Sequence, residues 1–198
     1  MKPPKEYYSL YLADDNLSEL NHKLAHEVLK EAPNHIFEMG CGTGKNLKLI
    51  LKLQSNYAKS GVCVSGLDIS LVNCLHAIVK NGIQHIAIGD ETYLRHYCNQ
   101  DVVITCSCLD HIEKIDAIIQ ELQRIANKCV ILAECTDHDP SNYYYKHDFE
   151  SFGFKVVEGT EYFSISDTHN YRIYKWYKQN RLKSIREFVN GANDDLSH

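Results

Sequence analysis

Glu38-Met39-Gly40-Cys41-Gly42-Thr43-Gly44 sets three glycines at alternate positions directly after a short apolar run, His35 to Met39. Glycine has no Cβ, so such a turn lets the backbone approach a ligand closely. From Lys45 to about Gln54, Leu47, Ile50 and Leu51 fall on one helical side. The unit is therefore strand, glycine turn, helix, and the free N–H groups at the helix start suit an anion. Two phosphate-binding patterns fit poorly. A P-loop has four residues between its glycine and Gly-Lys, then Ser or Thr. Here Gly40 and Gly44 enclose three, and Asn46 follows Lys45. A dinucleotide fingerprint reads GxGxxG, and here the third glycine comes one residue early. A plain tight turn does not need three alternate glycines.

The alternation continues. Strands are predicted over 62–67, 83–88, 101–105 and 128–133, with Asp68 ending the second strand of the chain and Gly89-Asp90 the third. A helix is predicted from Ser70 to Asn81-Gly82, and Ile112, Ile115, Ile118, Ile119, Leu122 and Ile125 mark another. Before the first strand, Asn16 precedes Leu17, Leu20, Leu24 and Val28 on one helical face, with Glu19 in capping-box register and Pro33 as a stop. This pattern implies right-handed βαβ units and a parallel sheet. Lys155-Val156-Val157 and Tyr171 to Tyr177 have only a loop between them, which demands antiparallel pairing. The predicted fold class is α/β: a doubly wound, mostly parallel seven-stranded sheet with an antiparallel last strand and helices on both faces. One domain is expected over 1–198, with an N-terminal helical and lid segment 1–33, a core 34–178 and a basic then polar tail 179–198.

Composition bounds the function. The 198 residues are 44% hydrophobic and 24% charged, as expected for a globule with one core rather than a disordered chain. No apolar stretch approaches the ~18–20 residues of a membrane span. No secretory signal is read at Met1–Glu6. The net charge of −5 lowers the expectation of nucleic-acid binding, although residues 171–186 carry six basic side chains and no acidic one. The eight cysteines form no CxxC pair, and several sit among valines and isoleucines, so free thiols in a reducing cytoplasm are expected.

Glu38-x-Gly40-x-Gly42-x-Gly44 resembles motif I of the class I, Rossmann-like S-adenosylmethionine-dependent methyltransferases. Asp68 stands where that family places the acid that binds the ribose hydroxyls, and Gly89-Asp90 where it often has an acid near the adenine amino group. Residues 101–112, DVVITCSCLDHI, are similar to the segment whose backbone meets the methionine part. The resemblance covers roughly residues 34–178. It implies S-adenosylmethionine as cofactor, S-adenosylhomocysteine as product, and a cofactor site of Glu38, Gly40, Cys41, Gly42, Gly44, Asp68, Ile69, Asp90 and Cys106. Such transfer is an in-line displacement on an activated donor, and no catalytic side chain is named. No Asn/Asp-Pro-Pro-Tyr/Phe follows the fourth strand, where Cys106-Ser107-Cys108-Leu109 looks more like the small-molecule branch. A small-molecule O- or N-methyltransferase is the first reading, and an RNA or protein methyltransferase the second. A non-catalytic nucleotide-binding module or an NAD-dependent oxidoreductase stands as the alternative of another class.

Each candidate also has a plain structural reading. Asp68 can cap a helix, as can Ser70, and Asp90 can belong to a turn. Cys106-x-Cys108-x-x-His111 lacks a fourth zinc ligand, and His22 and His26, at i and i+4, suit a solvated face as well as a metal, so no metal is expected. Asp110 with Glu113 reads as a capping box, which puts His111 on the first helical turn at the cofactor mouth. Tyr7, Tyr11, His111, Glu134 and His138 are the substrate candidates. Residues 7–11 and 161–170 are expected to close over the acceptor. Tyr171, Tyr174 and Tyr177, interleaved with basic residues, fit a packed strand or an RNA-binding face.

Overall fold

β1 (His35–Met39) pairs in parallel with β2 (Cys63–Asp68) on one side and β4 (Gln100–Cys106) on the other. β3 (His85–Ile88) extends the sheet beyond β2, and β5 (Ala126–Cys135) extends it beyond β4, again in parallel. β8 (His169–Tyr177) then runs antiparallel to β5, and its other edge takes β6 (Lys155–Val156). The order is β3-β2-β1-β4-β5-β8-β6, the mostly parallel seven-stranded sheet with antiparallel closing strands that the sequence predicts. The computed structural model describes residues 16–57, 61–135, 145–160, 163–166 and 169–179.

An eighth strand departs from the sequence-based expectation. β7 (Phe163–Ser166) pairs antiparallel with β8 from within the stretch read as a closing loop. Its Phe-Ser-Ile-Ser alternation has strand period, but four residues are too few to stand out from a loop.

Among the described residues four helices flank the sheet: α1 (Glu19–Lys30), α2 (Lys45–Leu53), α3 (Leu71–Val79) and α4 (Asp116–Ile125). Adjacent strand residues point to opposite faces, so the sheet feeds two cores. Ile36, Val102 and Ile131 pack with Leu24 and Val28 of α1 and Leu47 and Ile50 of α2. Phe37, Val103 and Val130 pack with Ile119 and Leu122 of α4 and with Phe149 and Phe154. Strands buried on both faces are what an α/β sheet requires.

Two helix starts are corrected. The cap of α1 is Ser18, not Asn16: the Ser18 hydroxyl accepts from the Asn21 N–H at 3.4 Å, and Asn21 Oδ1 accepts from the Ser18 N–H at 2.8 Å. Asn21 stands three residues after Ser18 and closes the capping box in place of Glu19. α4 begins at Asp116, after Ile115. Asp110 is therefore no helix cap. It lies 1% exposed in a 3-10 turn over Leu109–His111, and Ile112 is extended, at φ −119° and ψ 121°. The turn and extended link let both Leu109 and Ile115 reach the core, which an unbroken helix from residue 110 does not achieve.

Polar contacts fasten α1 to the far end of the sheet. Lys175 of β8 donates to Glu27 at 3.1 Å and to Glu31 at 3.0 Å, and the Tyr177 hydroxyl donates to Glu31 at 2.9 Å. Lys128 Nζ donates to the Glu31 and Ala32 carbonyls at the carboxyl end of α1, where a cation complements the helix dipole.

Candidate cofactor site

The glycine turn is built by backbone conformations that side chains resist. Gly40, Gly42 and Gly44 have φ values of 69°, 52° and 74°. A Cβ on Gly40 would lie 2.4 Å from Cys108 Sγ, so the turn and the segment after β4 are in intimate contact. The Gly40 and Cys41 N–H groups both donate to the Leu67 carbonyl at the end of β2. Cys41 points inward, and Gly66 leaves room for it: a Cβ there would lie 2.7 Å from Cys41 Sγ. Burial raises the Cys41 thiol well above its usual range, so it stays neutral.

Two carboxylates meet this turn. Asp68 Oδ2 accepts from the Gly42 N–H and Oδ1 from the Ser70 N–H, both at 2.8 Å. Asp68 therefore braces the turn, while Ser70 itself caps α3 by accepting from the Asn73 N–H. A carboxylate offers about four lone-pair sites, so Asp68 retains acceptor capacity. Burial pushes its pKa up, opposed by the Ser70 and Gly42 amides and by a hydrogen bond from the Asn73 side chain, which leaves about one acceptor site. Ile69, the next residue, is exposed beside it.

Glu38 is fully buried at the end of β1. Its Oε1 accepts from Asn46 Nδ2 at 2.7 Å, and Asn46 Oδ1 accepts from Asn21 Nδ2 at 2.8 Å. A buried chain of amides thus links Glu38 to the cap of α1. Among the described residues its Oε2 has no hydrogen-bond partner. Burial, with the Asp68 charge adding, pushes the Glu38 pKa up to about 8. A buried carboxylate with one open oxygen beside a glycine turn fits a cationic ligand group.

The predicted residues divide into three sets. Glu38, Gly40, Cys41, Gly42, Gly44, Asp68, Ile69 and Cys106 converge on the carboxyl edge around β1, β2 and β4. Asp90 caps a 3-10 turn over Glu91–His96, accepting from the Thr92 N–H at 3.1 Å, and the neighbouring Gly89 N–H donates to the Asp68 carbonyl. Glu134 is fully buried and faces protein: it accepts from the Thr105 hydroxyl at 2.6 Å and from the Cys108 and Leu109 N–H groups, both at 3.1 Å. It shapes the segment after β4 from behind. His111 sits half-buried with Nε2 3.7 Å from Asp110 Oδ1. Tyr7, Tyr11 and His138 lie outside the described residues, as do residues 1–15 and part of the 161–170 loop. Among the described residues no three His, Cys, Asp or Glu side chains gather as metal ligands; His26 is bonded to the Tyr57 hydroxyl.

Sequence reading misses Asn21, Asn46 and Ser107. Ser107 has φ 54°, and its hydroxyl pairs with that of Tyr171 at 2.7 Å. Tyr171 thus belongs to the wall behind the site; of its cluster Tyr174 is buried as well, whereas Tyr177 is exposed. The signal for Asn21 is its capping-box distance from Ser18; Asn46 carries none beyond following the turn.

The sheet order, the antiparallel closing strands and the glycine turn braced by the β2 acid define a class I, Rossmann-like methyltransferase fold. Solved structures share it. The magnesium protoporphyrin IX methyltransferase ChlM of Synechocystis PCC 6803, with bound S-adenosylhomocysteine, superposes with TM-score 0.65 at 16% identity, over 88% of this chain and 98% of that one. The N-terminal domain of EvdMO1, also with S-adenosylhomocysteine, gives 0.60 at 14% identity over 82% and 83%. The methyltransferase domain of bacterial CtHen1 gives 0.57 at 15% identity over 83% and 100%. Within this class, the model of the family described as "Methionine biosynthesis protein MetW" matches residues 20–138, and the chain belongs to the MetW family.

Proposed function

We propose that the chain binds S-adenosylmethionine at the Glu38–Gly44 turn and transfers its methyl group to a small-molecule acceptor at the carboxyl edge of the sheet. The observation that carries the reading is the pair of carboxylates meeting the turn, Asp68 bracing it and Glu38 with an open buried oxygen.

When bound, the cofactor supplies a methyl carbon already activated by its sulfonium, so the protein's task is alignment and exclusion of water. Glu38 Oε2 takes the ammonium group, and the Asn46 amide keeps that carboxylate oriented. Asp68 offers its remaining acceptor site to the ribose hydroxyls. Gly40 gives up side-chain volume so that the Ser107–Leu109 backbone closes against the turn, and Glu134 fixes that backbone by accepting two of its amides. No side chain is assigned as general base, because an acceptor that arrives deprotonated needs none.

An open cleft of about 490 Å³ lies beside the segment after β4 and shares no residue with the glycine turn. Its charged lining is Lys146, Asp148, Glu150 and Arg172, with His147, Phe149 and Tyr174 beside them, and His147 Nε2 lies 3.0 Å from the Leu109 carbonyl. The mixed charge of this lining suits a polar acceptor better than a polyanion. Eight free thiols support a reducing compartment, the cytoplasm, as the place of work. No helix among the described residues is long and apolar enough to cross a membrane.

The test is transfer of labelled methyl from S-adenosylmethionine to fractionated cell extract. Label is expected in low-molecular-weight products. Label confined to RNA or protein would overturn the acceptor class, and none in any fraction would overturn the transferase.

Asp68→Ala probes the cofactor contact separately. Charge-assisted hydrogen bonds contribute roughly 1.5–3 kcal/mol each, partly recovered by water entering the gap. Cofactor affinity is expected to fall roughly 30-fold or more, from a loss of about 2 kcal/mol. Calorimetry on the folded variant checks it; affinity equal to wild type would leave Asp68 only its bracing role.

A further inference from the structure

α3 is turned the wrong way round for a surface helix. Its buried residues are the small or polar Asn73, Cys74 and Ala77, while Leu71, Val72, Leu75, Ile78 and Val79 are 40% to 77% exposed. The inner face must be small, because a Cβ on Gly44 would lie only 3.2 Å from Ala77 Cβ. The outer face has no such constraint, and a soluble helix ordinarily makes it polar. Ile88 continues the patch onto edge strand β3, on the same sheet face as Ile86, and is itself 48% exposed.

We infer that this face is a self-association surface whose occupant is a second copy of the chain, packed α3 against α3 about a twofold axis. Three observations point to a copy. The apolar positions are symmetric about Leu75: Leu71 and Val79 lie four residues to either side, Val72 and Ile78 three. Such a pattern suits an isologous contact, in which residue i of one copy meets residue j of the other and j meets i. In an antiparallel crossing, Leu75 meets Leu75 of the second copy, Leu71 meets Val79, and Val72 meets Ile78. The area also matches. The exposed fractions of these five residues and Ile88 amount to on the order of 500 Å² of apolar surface, about the apolar share of a standard interface of ~800 Å² per partner. Finally, the ends are complementary. Exposed Lys80 follows the carboxyl end of α3, and Glu91 follows β3 at the sheet edge where α3 begins. The antiparallel crossing carries Lys80 of one copy toward Glu91 of the other, and like charges do not meet.

The inference is independent of the cofactor reading and is tested without it. Sedimentation equilibrium of the full chain should give a dimer at micromolar concentration. Leu75→Glu sets two carboxylates against each other on the axis and should weaken association by ~100-fold or more. Because Leu75 is half exposed in the monomer, its melting temperature, measured at dilutions where wild type is also dissociated, should not change. Lys80→Glu should weaken association less, and Glu91→Lys added to it should restore part of the loss. A wild type monomeric throughout, or a dimer indifferent to Leu75→Glu, would overturn the inference. So would a monomer whose melting temperature falls in Leu75→Glu, which would mean that another segment of the same chain covers the face.

Discussion

Gly40→Ala is expected to abolish measurable cofactor binding and to lower stability by about 2–4 kcal/mol. Two costs add. At φ 69° an alanine backbone is held in the left-handed region, which costs roughly 1–2 kcal/mol. The new Cβ would also lie 2.4 Å from Cys108 Sγ and 2.7 Å from Cys108 Cβ. Neither side yields easily. Cys108 is tied through its amide to buried Glu134, and Ser107 is tied to Tyr171, while the Gly40 amide is fixed to the Leu67 carbonyl. Gly82→Ala is the matched control, because Gly82 has φ 71° and a Cβ there would meet nothing within 4 Å. It should cost only about 1 kcal/mol and leave binding intact. Thermal melts and calorimetry on both variants read the difference. Equal behaviour would show that close approach to Cys108 does not matter.

Lys175→Ala is expected to destabilise the fold by about 3 kcal/mol. The side chains of Lys175 and Glu27 are only 9% and 5% exposed, and removing the ammonium strands a nearly buried carboxylate. Lys30, which also reaches Glu27, is 58% exposed and compensates only in part. The pair should also shape the pH profile. Glu27 has its pKa lowered by Lys30 and Lys175, whose effect outweighs burial, so its contribution is present above about pH 4.5 and is lost as pH falls through the folded value. Lys175 has its pKa raised by Glu31 and Glu27 against the opposing effect of burial. Its contribution is full below about pH 10.5 and is lost only as pH rises through the still higher folded value. Denaturant midpoints of the wild type should thus hold a plateau between these limits, and the variant should lie below it throughout. A variant as stable as wild type at neutral pH would show that the network is dispensable. Lys175→Met combined with Glu27→Gln should recover much of the loss, since it strands no charge at Glu27.

The parallel sheet and its glycine turn are legible because their signals are local: apolar runs, three alternate glycines, and acids directly after Leu67 and Gly89. What the sequence conceals depends on packing. The Ile112, Ile115 and Ile119 spacing fits a helix, yet residues 109–115 form a 3-10 turn and a non-helical link that is extended at Ile112, because two apolar anchors must reach one core. Glu134 sits at the carboxyl edge, where its sequence position predicts a substrate contact. Its inward direction follows from a strand buried on both faces, which one sequence position does not reveal. The Glu38–Asn46–Asn21 chain joins three elements through steps of 8 and 25 residues in sequence, and two isolated asparagines announce nothing of it.

Glu38 and Asp68, set around the glycine turn, are the residues proposed to hold S-adenosylmethionine. The most direct measurement is calorimetry of the full chain with S-adenosylhomocysteine and with NAD, repeated at pH 7 in buffers of different ionisation enthalpy. Free Glu38, with its pKa at about 8, is mostly protonated at pH 7. An ammonium placed beside it favours the carboxylate, so binding should release close to one proton. Affinity should therefore rise up to tenfold per pH unit until about pH 8. Micromolar binding of S-adenosylhomocysteine is expected, with that proton release and with NAD weaker. Tighter binding of NAD, or no binding of S-adenosylhomocysteine, would contradict it.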